Sequence, residues 1–111
     1  MTTDDILYLL KSWVETGAVV SPSQWIDEAF KLVVLMGDER NKLLELQHKV
    51  AKMKVAEVSK GQTAATTKII VEASEEYHDM LRQKGKLDQV IELIRIAKIQ
   101  SKLSNEEYKA Y

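Results

Sequence analysis

The chain has 111 residues and a mass of 12.7 kDa, enough for one domain and too little for two independent cores. Hydrophobic residues at 45% and charged residues at 30% suit a folded chain, and the absence of cysteine excludes disulfides, thiolate metal sites and cysteine nucleophiles. A net charge of −1 names no default partner, neither nucleic acid nor an anionic membrane, and four glycines and one proline disfavour an all-β fold.

No apolar run approaches the ~20 residues of a membrane span. The N-terminal Met1-Thr2-Thr3-Asp4-Asp5 is acidic rather than basic, so the expected setting is cytoplasmic, without membrane contact.

In chain order, a short helix is expected over residues 3–16. Asp4 and Asp5 lie in its first turn, Ile6, Leu9, Leu10 and Trp13 form an apolar face, and Gly17 terminates it. The strongest local signal follows. Ser21 caps a helix with Pro22 at its first position, Gln24 completes a capping box, and Val20 and Trp25 form a hydrophobic staple. The long helix that begins here is expected over 22–60. Trp25, Ala29, Leu32, Met36, Leu43, Leu46, Val50 and Met53 fall on one seven-residue repeat, with Glu39 the odd member.

Gly61 ends that helix and Gln62-Thr63 offers a cap for a returning long helix over 63–103. Ile69, Ala73, Tyr77, Met80, Leu87, Val90, Ile94 and Ala97 recur there at helical spacing. The β-branched run from Thr66 to Val71 admits a strand instead, with Ser74 capping a shorter helix. Ser104-Asn105-Glu106-Glu107 is a second capping box and suggests a final helical turn in the tail, 104–111. The fold class is all-α: a short helix and a coiled-coil-like antiparallel two-helix hairpin that self-associates. A turn at Gly61-Gln62 pairs residues whose numbers total about 123. Gly37 and Gly85 then share a level, either as a close backbone approach or local breaks, or as a joint.

Charge follows the same register. Residues 40–60 carry six basic against two acidic side chains, and the expected neighbours 63–81 one against four. Residues 82–102 repeat six against two, beside 22–39 with one against four. Pairing faces of a hairpin explain this pattern; a nucleic-acid track is the other reading. Leu32-Val33-Val34-Leu35-Met36 covers the whole circumference of a helix and is expected to be buried on every side, beside Leu87 to Ile91. An extra apolar stripe of Ile96, Ile99 and Leu103 lies outside the second helix's main face. Together with Leu35 it is the expected homo-oligomer interface.

No catalytic residue or cofactor site emerges. His48 and His78 lack metal-ligand spacing, although the hairpin register sets them within a turn of each other; a metal would need further ligands, for which Glu45 and Glu75 are the unsupported candidates, and surface histidines are the plainer reading. There is no phosphate loop and no nucleophile elbow. Glu75-Glu76 and Glu106-Glu107 fit first turns of helices, where the dipole favours them, better than acid–base catalysis. Trp13, Trp25 and Tyr77 suit a core more than base stacking, while Tyr108 and Tyr111 are freer to make contacts. The chain reads as a non-enzymatic assembly or adaptor protein, acting through its own copies and a protein partner not yet identified.

A short N-terminal helix precedes a long helix that ends in Lys49-Val50-Ala51-Lys52-Met53-Lys54 and Lys60-Gly61, followed by a returning helix. Over roughly residues 20–103 this layout resembles the recombination mediator proteins of T4-like phages. The resemblance implies an oligomeric helical protein that binds single-stranded DNA and helps load a recombinase. Lys49, Lys52, Lys54 and Lys60 would then be the phosphate contacts. The chain's mild acidity departs from a DNA binder.

Overall fold

The computed structural model describes residues 2–109, with side chains through Leu103. It contains four helices, α1 (Thr3–Thr16), α2 (Pro22–Ser59), α3 (Ala64–Glu72) and α4 (Glu75–Lys109), and no strand among the described residues. None of the described helices is long and apolar enough to cross a membrane.

Each helix starts where a side chain can satisfy its free N–H groups. The Thr2 hydroxyl accepts from the Asp5 amide at 3.2 Å, and the Asp5 carboxylate accepts from the Thr2 amide at 3.0 Å, a capping box at the start of α1. At α2, the Ser21 amide donates to Gln24 Oε1 at 3.0 Å and the Gln24 amide to Ser21 Oγ at 3.3 Å, the expected box. Val20 and Trp25 both pack in the adjacent core, as the staple requires. Gly17 (φ 63°) and Gly61 (φ 84°) take the left-handed conformation just past α1 and α2.

The returning helix over 63–103 is not continuous. Thr63 caps α3, whose hydrogen bonding ends at Ala73, and Ser74 Oγ accepts from the Tyr77 amide at 3.2 Å to start α4. The segment that admitted a strand is helical, because Thr63 supplies a cap and no neighbouring strand exists among the described residues. At the other end α4 runs on to Lys109, so Ser104 does not begin a new helix. The Ser104, Glu106, Glu107 and Tyr108 side chains and Tyr111 lie outside the described part.

The chain divides into two compact units. The first comprises residues 1–37 and 88–111, the second 38–87. In the first, Ile6, Leu7 and Leu10 of α1 meet Trp25, Ala29 and Leu32 of α2 and Val90, Leu93, Ile94 and Ala97 of α4. Leu10, Leu32, Val90 and Ala97 are fully inaccessible. Trp13 meets Trp25 edge to face with centroids 5.1 Å apart, which assigns both rings to this unit's packing.

The second unit buries less. Val50, Val71 and Leu87 are its buried apolar side chains, joined by Thr67 and by Glu39, which is 1% exposed. Glu39 is the residue that breaks the heptad, and its carboxylate is answered from α4. Gln83 Nε2 donates to Glu39 Oε2 at 2.6 Å and to the Glu39 carbonyl at 3.0 Å, while Lys86 Nζ lies 3.6 Å and Lys42 Nζ 3.4 Å from Oε1.

Gly37 and Gly85 both sit inside unbroken helix, and apart from the adjacent residues and the helix's own backbone no atom lies within 4 Å of where a Cβ would stand. Neither close backbone approach nor a local break accounts for them.

Three outcomes follow. Gly37→Ala and Gly85→Ala each raise unfolding free energy by about 1 kcal/mol in urea titrations, whereas Gly17→Ala, forced to positive φ, lowers it by about 1 kcal/mol. Gln83→Leu strips donors from a buried carboxylate and costs about 2 kcal/mol, and the triple change Glu39→Leu, Gln83→Leu, Lys86→Met recovers that loss. The Thr2 backbone and side-chain hydrogen bonds hold the Asp5 carboxyl below its ordinary value. Its contribution to α1 is therefore complete above the ordinary aspartate range and lost as pH falls through the lowered value; NMR titration of Asp5 reads this directly, and Thr2→Ala moves the midpoint upward.

Candidate interaction surface

α2 is apolar on two faces within the first unit. One carries Trp25, Ala29 and Leu32 into the core. The other carries Ile26, Phe30, Val33 and Val34, spaced i, i+4, i+7 and i+8, which remain 55%, 67%, 41% and 64% exposed. The run from Leu32 to Met36 is thus not enclosed: Leu32 is buried, Leu35 and Met36 pack partly against the core, and Val33 and Val34 face outward. α1 and α4 cover two sides of this turn, and among the described residues no third helix of the unit covers the remaining side.

Phe30 stands as a ridge between hollows. On the α4 side, a cavity of about 150 Å³ is lined by Ile26, Ala29, Phe30, Val33, Ala97 and Lys98, the two alanines leaving room at its floor. On the α1 side, Trp13, Gln24, Asp27, Glu28 and Lys31 line one depression with Ile26 and Phe30, and Ile6, Val34 and Leu35 another with Phe30 and Lys31. Lys31 pairs with Glu28 at 2.9 Å.

The residues expected at an oligomer interface divide in two. Leu35 and Ile96 pack partly against the core of the first unit, while Ile99 and Leu103 are 43% and 49% exposed. Ile26 and Phe30 were missed. Their spacing, one residue out of phase with the Trp25 seam, was the available signal, but spacing alone does not say which of two apolar faces a neighbour covers.

The expected phosphate-contacting lysines are all exposed, on α2 or just after it. Lys49 and Lys52 share a face, but at 100° per residue Glu45 lies between them and Lys54 points to the other side. Lys54 there lines a groove with Val58, Thr67, Val71 and Tyr77, and Lys60 pairs with Glu57 at 3.1 Å. The four lysines do not form one uninterrupted stripe. His48 and His78, like Glu45 and Glu75, are exposed, and among the described residues no three metal-binding side chains cluster.

Comparison of the chain with protein-family models, curated proteins and solved structures yields no match.

The two faces of α2 differ in what they hold up. Leu32→Ala costs about 2–5 kcal/mol of unfolding free energy by cavity formation, whereas Phe30→Ser changes the stability of the isolated chain by less than about 1 kcal/mol, both read by chemical denaturation at low protein concentration.

Proposed function

We propose that the chain is a non-enzymatic, self-associating helical protein of the cytoplasm that serves as an assembly or adaptor element. The observation that carries this reading is the exposed row of Ile26, Phe30, Val33 and Val34 on a helix whose opposite face is locked in the core. Contiguous exposed apolar side chains of this kind mark interaction sites, and their burial is the term most able to drive association, at roughly 25 cal/mol per Å². Ile99 and Leu103 extend the apolar surface available on the same unit. In this reading α2 and α4 form an antiparallel pair. Support comes from Glu39, whose partners Gln83 and Lys86 give totals of 122 and 125, close to the register expected from the turn near Gly61.

A second reading is an oligomeric accessory protein that binds single-stranded nucleic acid. It is favoured by the exposure of Lys49 and Lys52 on one face, and weakened by Glu45 between them.

Light scattering on a sizing column, with and without a labelled single-stranded oligonucleotide at low salt, separates the two. The proposed function predicts a defined oligomer whose mass ignores the oligonucleotide. Co-migration at 50 mM salt that is lost by about 200 mM would favour the phosphate-binding reading, and Lys49→Glu with Lys52→Glu would then abolish it.

A further inference from the structure

We propose that the Phe30 face is occupied by a second copy of this chain, the two α2 helices lying side by side and pointing the same way about a two-fold axis along them. The proposal rests on the self-association reading and specifies its geometry. Ridge and hollow lie at the same level of α2, with the hollow displaced toward α4. A two-fold axis parallel to the helix exchanges left and right without reversing direction, so the ridge of each copy faces the hollow of the other. The hollow is an open, apolar-walled groove of about 150 Å³, with room for an aromatic side chain. Phe30 is the aromatic ring on this face available to fill it, entering between Ile26, Ala29, Val33 and Ala97 of the partner subunit.

Charge fits the same arrangement independently. Asp27 borders the row on the α1 side and Lys98 borders the hollow on the α4 side, at one level of the helix. Both are exposed, and among the described residues neither takes part in an ion pair of its own chain. The two-fold axis that seats Phe30 brings each Asp27 to the partner's Lys98, giving two equivalent pairs at the rim. An antiparallel arrangement would set Asp27 edges together and Lys98 edges together. Seven-residue spacing of Ser23, Phe30 and Gly37 keeps small residues one step on either side of the ring, which lets the helices approach.

The test uses the full chain and exposed positions, with circular dichroism as the check on folding. Wild type, Phe30→Asp, Asp27→Lys and Lys98→Asp are compared by light scattering over a range of concentration, alone and with the two charge variants mixed. Expected are a dimer or an even-numbered assembly for wild type, loss of association for Phe30→Asp, weakening by about tenfold or more for each charge variant alone, and recovery on mixing, as a heterodimer. A wild type that stays monomeric overturns both this geometry and the proposed function. An oligomer indifferent to Phe30→Asp overturns this face and leaves self-association standing. Loss with Phe30→Asp, but charge variants that associate like wild type and mix without preference, overturns the parallel two-fold arrangement alone.

Discussion

Five consecutive apolar residues in one helix cannot all face a single neighbour, and the first unit is organised around that constraint. From Leu32 to Met36 the side chains point in every direction around α2. α4 and α1 take up the directions of Leu32, Leu35 and Met36. Val33 and Val34 are left outward, in line with Ile26 and Phe30. Among the described residues the unit has no further helix to lay over them, so this apolar row stays exposed.

The second unit handles its interior differently. Where the heptad called for an apolar residue it has Glu39, desolvated almost completely. A buried carboxylate is costly unless its oxygens are matched, and here the match comes from Gln83 and Lys86, a turn apart on α4. Leucine at position 39 could pack against several apolar neighbours at nearly equal cost. A carboxylate accepts only the register that delivers a donor to it. The pair contributes little net stability by this logic.

How legible all this was depends on range. Helix limits at Gly17, Ser21, Gly61 and Thr63 could be read directly because each rests on atoms within four residues. The break at Ala73-Ser74 was harder. Ser74 was visible as a cap, but the β-branched run before it weighed between strand and helix, and an unbroken apolar period across residue 73 suggested continuity. The capping box of Thr2 and Asp5 was read only as favourable first-turn charge, although the spacing for a box was present. The surface was the least legible part. Leu35, Ile96, Ile99 and Leu103 form stripes as plausible as Ile26, Phe30 and Val33 on a helical wheel. What separates them is which side α1 packs against, a long-range fact that no local pattern encodes. Lys54 shows the same limit at finer grain: it belongs to a lysine-rich segment in sequence, yet the helix turns it away from Lys49 and Lys52.

The exposed face of α2 is also held ready by its own reverse side. Trp25, Ala29 and Leu32 are fixed in the core, so the backbone carrying Ile26, Phe30 and Val33 is already ordered before any partner arrives. Association there need not add the cost of forming a helix, only that of restricting a few side chains and of joining two bodies. A modest apolar row can therefore suffice where a disordered segment with the same residues would not. The same arrangement explains why the exposed side chains can be large without endangering the fold. Phe30, 67% exposed, stands on a scaffold that does not depend on it.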